Sequence, residues 1–264
     1  MTAQAQYQPM TASGKGLKIV GKNISDFTPQ EISDLIDQYY WLVFTGKPAS
    51  LDEVENTLKQ FGPLTQNDRR KGVVLNIDTS KKDEGEVLLG DGFLPLHRDG
   101  ALMGTNVKYV GIFCVDYKNV SEGGRTFITD AESAIEEVPQ EYLDLLDEKG
   151  IEGKPVDSYY LKSSDQWHPI PGFIDIEGKK YLNVGFPSPE GEKKSWDMRI
   201  PGESEETFKK VFDVLERAVM DEKYCYYHEW TEGDLVLFDN RKTLHGREAF
   251  KGQRALANIQ VLEP

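Results

Sequence analysis

The sequence predicts a mainly β protein with flanking helices, folded as a double-stranded β-helix, or jelly roll. Three observations carry that expectation. Beyond Gly72, short runs rich in β-branched and aromatic residues recur between turn residues. A few helical stretches flank or interrupt those runs rather than alternating with them one for one. From Leu17 onward no linker-like break divides the chain, so residues 17–264 are expected to form one domain, a size that all-β folds routinely reach.

The elements follow in order. Residues 1–16 are polar and contain Gly, Ser and Gln, which predicts a flexible N-terminal tail. Leu17–Val20 predicts a short strand. Pro29–Tyr40 carries Ile32, Leu35, Ile36 and Tyr39 at i, i+3, i+4 and i+7, the stripe of an amphipathic helix. Trp41–Phe44 predicts a strand, and Leu51–Phe61 a second helix stopped by Gly62-Pro63. Further strands are expected at Val73–Ile77, Val87–Leu89, Tyr109–Val115, Arg125–Thr129, Lys180–Val184, Tyr224–Trp230, Leu235–Phe238 and Arg254–Leu262. An acidic helix is expected over Ala131–Lys149. Another should follow Ser204 as N-cap, with Glu205 and Glu206 in its first turn and Phe208, Val211, Phe212, Leu215 and Val219 as its buried stripe.

Composition excludes several functions. A formal charge of −14 disfavours nucleic acid and anionic membrane surfaces as partners. No run of 18 apolar residues is present, and the N-terminus lacks the basic and apolar regions of a secretion signal. Cys114 and Cys225 sit in apolar or aromatic runs, as expected of reduced, buried thiols in a cytoplasmic protein. The stretch 155–201 is rich in Gly, Pro, Ser, Lys and aromatics, among them Tyr159, Tyr160, Trp167, Phe173 and Trp196. It is expected to be an irregular insertion or lid, because long loops in compact domains usually serve function.

Two strings carry the chemistry. Leu96-His97-Arg98-Asp99-Gly100 places His97 and Asp99 two apart, on one face of an extended chain. Thr243-Leu244-His245-Gly246-Arg247 supplies a second imidazole from far along the sequence. Two imidazoles and one carboxylate form the ligand set of a non-haem iron(II) oxygenase, leaving open positions for co-substrate and O₂. Read singly, each histidine is an ordinary loop residue and Asp99-Gly100 an ordinary turn. Two other classes remain open on this reading: a metal-binding jelly roll without oxygenase activity, and a zinc hydrolase, for which no motif supplies a general base.

The flanks of these strings resemble a known family. Gly233-Asp234-Leu235-Val236-Leu237-Phe238-Asp239-Asn240-Arg241, with the string around His245, is similar to the C-terminal signature of the taurine dioxygenase (TauD/TfdA, clavaminate-synthase-like) superfamily. Leu94–Gly100 resembles its proximal metal motif, and Gly123-Gly124-Arg125-Thr126 its Gly-Gly-x-Thr run. The resemblance implies an Fe(II)/2-oxoglutarate-dependent dioxygenase with His97, Asp99 and His245 as metal ligands. It assigns Arg254 and Thr126 to 2-oxoglutarate, with Arg247 as the rival arginine. Because Asp99 keeps a carboxylate where the family's halogenases have Gly or Ala, the resemblance implies hydroxylation or desaturation instead.

The same comparison suggests the isonitrile-biosynthesis (PvcB-like) subgroup of secondary metabolism. It implies an amino-acid-derived substrate such as a tyrosine isonitrile, whose side chain is desaturated or decarboxylated, with a hydroxylase of another small carboxylate or sulfonate as the alternative. An aromatic, carboxylated substrate calls for a ring-stacking wall and a cation. Tyr109, Trp196 and Arg199 are the candidates; His168 and His228 are read as ordinary polar residues.

Overall fold

The structure, a computed structural model, describes residues 9–66, 72–78, 90–117, 119–156 and 166–263. In chain order its strands open with β1 (Leu17–Val20), β2 (Trp41–Thr45), β3 (Val74–Asp78), β4 (Leu94–His97), β5 (Val107–Asp116), β6 (Glu122–Gly123) and β7 (Thr126–Thr129). They continue with β8 (Ile151–Pro155), β9 (His168–Ile170), β10 (Phe173–Ile176), β11 (Lys179–Leu182) and β12 (Trp196–Arg199). The C-terminal set is β13 (Cys225–His228), β14 (Leu235–Asp239), β15 (Leu244–Arg247), β16 (Phe250–Lys251) and β17 (Ala255–Leu262). The helices are α1 (Pro29–Tyr39), α2 (Leu51–Leu58), α3 (Ala131–Ala134), α4 (Gln140–Lys149) and α5 (Glu205–Val219).

Two sheets make the jelly roll. One runs β1-β2-β14-β5-β17-β3, the other β13-β7-β15-β4. Strand alternation sorts side chains between the two faces of the larger sheet. Trp41, Val43, Val110, Ile112, Val236, Phe238 and Leu256 meet Ile128 of β7, forming the core between the sheets. The opposite face, with Leu17, Ile19, Leu42, Phe44, Phe113, Leu237 and Ile259, packs against Ile32 and Ile36 of α1 and Val54 and Leu58 of α2. Leu96, Phe127 and Leu244 of the smaller sheet pack outward against Val211, Phe212, Leu215 and Val219 of α5. Burying each such side chain stabilises the fold by about 1.5–3 kcal/mol.

Local signals place these helices. Thr28 and Ser50 cap α1 and α2 through reciprocal bonds with Glu31 and Glu53, and Pro29 occupies the first helical turn. Ser204 caps α5 by accepting from the Thr207 N–H.

Three expectations are corrected or divided. The helix expected over 131–149 is two helices, because Pro139 holds Val138 extended (φ −87°, ψ 136°) and begins α4. The stretch 155–201 is not irregular throughout: β8, β9 and β12 pair as one sheet, and β10 and β11 as a hairpin. Of the expected tail, residues 1–8 lie outside the described residues, whereas 9–16 form a turn. There Met10 and Thr11 donate to the Lys15 carbonyl, and Ser13 donates to the Lys223 carbonyl. The strand expected at Val87–Leu89, like Tyr159 and Tyr160, falls outside the described residues. No described helix is long and apolar enough to cross a membrane.

Candidate metal centre

β4 and β15 are antiparallel neighbours whose register sets His97 opposite His245. On these strands Leu96, Leu244 and Phe127 face α5, so the alternating positions His97, His245 and Ile128 face the other sheet. The imidazole centroids lie 4.3 Å apart, and Phe238 of β14 packs 4.7 Å from the His245 ring. Just past β4, Gly100 takes φ 84° to turn the chain, and a Cβ there would meet the Thr105 carbonyl oxygen at 2.4 Å; Asp99 lies immediately before this turn. Gly246 is required beside His245: a Cβ there would meet the Phe127 ring at 2.3 Å and the Leu94 carbonyl oxygen at 2.6 Å.

One ligand atom from each of His97, Asp99 and His245 lies within 4.8 Å of the others. Their chemistry fits a cation. His97 Nδ1 lies 2.9 Å from the Pro95 carbonyl oxygen, a bond that assigns the proton to Nδ1 and leaves Nε2 as an acceptor. That Nε2 is 3.3 Å from Asp99 Oδ1, and His245 Nε2 is 3.9 Å from the same oxygen. The lone pair of His97 Nε2 facing a carboxylate oxygen is repelled unless a positive centre lies between them.

The protonation states agree. Burial, reinforced by His97, pushes His245 down to about 3, so its imidazole is neutral. The Asp99 carboxyl resists burial, which acts to raise it. Contact with His97, then the proximity of His245 and the Gln260 amide, outweigh burial and hold it well below the usual carboxylate range. A neutral His245 imidazole and an ionised Asp99 carboxylate, with His97 beside them, suit iron(II).

Neighbouring residues hold the ligands. Asp99 N–H donates to Asn240 Oδ1 (2.9 Å), and Asn240 Nδ2 donates back to the Asp99 carbonyl (3.0 Å). Gln260 Nε2 donates to Asp99 Oδ2 (2.7 Å). Neither partner was assigned a role from sequence, since no local pattern announces a contact 141 or 161 positions away. Another unassigned neighbour is Trp230, whose Nε1 donates to Thr126 Oγ1 (3.0 Å) and leaves that hydroxyl's own proton available.

The two arginines expected near the C-terminus are both buried. Arg254 Nη1 donates to the Gly124 carbonyl (2.5 Å) and Arg247 Nη2 to the Gly92 carbonyl (2.7 Å). Both guanidiniums lie against the Phe250 ring, at 4.5 and 5.6 Å. Desolvation pushes Arg254 down to about 10, a cost that an anion at this end would offset. Arg247 stands opposite Thr126 in the β15–β7 register.

The expected substrate residues separate. Trp196 lies beside the triad: its ring is 5.5 Å from His97, and its Nε1 donates to the Phe186 carbonyl (2.9 Å). Tyr109 does not. It lies on the helix-covered face of the large sheet, edge-on to Phe61 at 5.6 Å, because β alternation groups it with Phe113 rather than with Val110 and Ile112. Arg199 is exposed, bonded to Glu152 (2.7 Å) and stacked over Trp167 at 4.2 Å. It points away from Trp196, as the odd and even positions of β12 require. His228 is buried, 3.3 Å from Asp234 and edge-on to Trp230. His168 lies on β9.

The comparisons with known proteins agree with this geometry. The family profile described as Taurine catabolism dioxygenase TauD, TfdA family matches residues 6–260. Tyrosine isonitrile desaturase of Pseudomonas aeruginosa is 26% identical over 248 residues, covering 91% of this chain and 84% of that one. The 3-((Z)-2-isocyanoethenyl)-1H-indole synthase of Fischerella ambigua is 25% identical over 199 residues, covering 72% and 71%. A solved structure of PvcB, described as an Fe, alpha-ketoglutarate dependent oxygenase from an isonitrile synthetic pathway, shares the fold. Its TM-score is 0.69 at 24% identity, over 94% of this chain and 86% of that one. The chain therefore belongs to the TauD/TfdA family and is a dioxygenase that depends on iron(II) and 2-oxoglutarate.

Proposed function

We propose that this enzyme oxidises an isonitrile derived from an aromatic amino acid, removing two hydrogens from its side chain. The convergence of His97, Asp99 and His245 supports the reaction class. The substrate reading draws on two relatives whose names describe enzymes of tyrosine- and indole-derived isonitriles. Iron with 2-oxoglutarate and O₂ supplies an oxidant able to take hydrogen from an unactivated carbon.

The chain supplies binding, orientation and dryness. His97, Asp99 and His245 hold the metal by three positions and leave the rest to the co-substrates. Arg254 receives the far carboxylate of 2-oxoglutarate through its guanidinium fork, and Thr126 donates its hydroxyl proton to the same group. Trp230 occupies the acceptor side of that hydroxyl, so the proton is directed outward. Trp196, beside His97, forms the aromatic wall against which a substrate ring rests. Residues 183–186 pair with β4 through His97–Gly185 and the Phe186 N–H to the Leu96 carbonyl. Residues 183–186 thus border the centre at His97, where they limit access of water. The cytoplasm, where thiols stay reduced, suits the buried pair Cys114 and Cys225.

Incubation of the iron-loaded enzyme with 2-oxoglutarate, O₂ and the isonitriles of tyrosine and tryptophan tests the substrate reading by mass spectrometry. A product lighter by two hydrogen atoms, formed with succinate, supports it. A product heavier by one oxygen reassigns the enzyme as a hydroxylase. No consumption of either isonitrile overturns the reading.

A further inference from the structure

Asp99 is gripped from two sides by residues outside the ligand triad. Asn240, fully buried, joins both peptide groups of Asp99 and spends its remaining amide hydrogen on the Val107 carbonyl at 2.9 Å. The turn after β4 is thereby tied to the start of β5. On the carboxylate itself the two oxygens have different partners. Oδ2 accepts from Gln260 Nε2 at 2.7 Å, whereas Oδ1 faces both histidine Nε2 atoms. Gln260 sits on β17 opposite Val110, and its own carbonyl accepts from the Thr65 N–H, so its backbone is fixed on both sides.

That difference has a consequence for coordination. A carboxylate can bind a metal through one oxygen or through both. Binding through both would take a position that 2-oxoglutarate or O₂ needs, since the centre works by keeping positions open. An amide N–H on Oδ2 stabilises that oxygen where it is and opposes its rotation onto the metal.

We propose that Gln260 is a positioning residue that keeps Asp99 a one-oxygen ligand, with Asn240 fixing the backbone from which the carboxylate projects. The inference rests on the triad as an iron centre and is independent of the organic substrate. Gln260 is half-buried, so an apolar side chain of similar length is tolerated there.

The test compares wild type with Gln260→Met, and with Gln260→Leu should the first variant fold poorly. Each is loaded anaerobically with Co(II), whose visible bands report coordination number, and separately with Fe(II) for titration by 2-oxoglutarate. The expected result is a changed Co(II) spectrum and a 2-oxoglutarate dissociation constant raised roughly 10-fold, with metal retained. A melting temperature close to wild type shows that the change is not a general loss of structure. A wild-type Co(II) spectrum together with wild-type 2-oxoglutarate affinity in the folded variant overturns the assignment. No isonitrile enters the experiment, so failure of the substrate reading leaves its outcome unaffected.

Discussion

His97 and His245 are register partners on adjacent antiparallel strands, with imidazole centroids 4.3 Å apart and both Nε2 atoms turned toward one oxygen of Asp99. The pairing of β4 with β15 thus assembles the two imidazoles of the candidate metal site. His245→Ala is expected to abolish iron retention and reduce turnover to background. The metal-free variant should still melt cooperatively, because the lost imidazole carries a buried Nδ1 without a hydrogen-bond partner. Metal analysis after gel filtration, with calorimetry of the metal-free protein, checks both statements.

Arg254 and Arg247 share the Phe250 ring but are anchored to different carbonyls, Gly124 and Gly92. Charge-assisted bonds to a carboxylate contribute about 1.5–3 kcal/mol. Arg254→Met should therefore raise the 2-oxoglutarate requirement roughly 10- to 100-fold while iron binding persists. Arg247→Met should leave that requirement near wild type. Steady-state kinetics with 2-oxoglutarate varied decides, and the reverse pattern exchanges the two roles.

Tyr109 and Arg199 provide a control on the geometry of the pocket. One packs against Phe61 beneath the helices, and the other pairs with Glu152 at the surface. Tyr109→Phe and Arg199→Ala should both leave the KM for organic substrate unchanged. An exposed pair such as Arg199–Glu152 contributes under about 1 kcal/mol, so thermal stability should also move little. A severalfold rise in KM for either variant would return that residue to the site.

How much of this was legible beforehand depends on the range of each contact. His97, Asp99 and His245 were readable because their flanking strings resemble the family's two metal motifs; the ligand types and strand alternation alone left other metal chemistries open. The stripe of α5 was equally plain, since its apolar positions recur at helical spacing. Tyr109 was misplaced because an aromatic in a strand announces burial but not which sheet face covers it. Gln260 and Asn240 were silent for a different reason: their bonds to Asp99 arise only when β17 and the end of β14 come beside β4. Within 155–201 the strand expected at Lys180–Val184 is β11, whereas β8 and β9 were hidden because they are three to five residues long and built partly from Gly, Pro and Lys.

Burial pushes the thiols of Cys114 and Cys225 up to about 12, with Asp234 adding to the effect at Cys114. Reactive thiolate is therefore scarce in the folded protein. Neither cysteine should be alkylated by iodoacetamide at neutral or mildly alkaline pH, whereas unfolding should expose both. The sign of the linked stability follows. Above the ordinary thiol range the unfolded chain gives up protons that the folded chain keeps, so stability falls as pH rises toward about 12. Intact-protein mass spectrometry counts the modifications, and labelling of the folded protein would contradict this burial.

Anaerobic titration of the Fe(II)-loaded protein with 2-oxoglutarate tests the centre most directly. The His97–Asp99–His245 site should give a visible charge-transfer band that saturates at one equivalent, weakens in affinity with Arg254→Met and vanishes with His245→Ala. A folded, iron-loaded protein that develops no such band, or an His245→Ala variant that keeps it, would contradict the account.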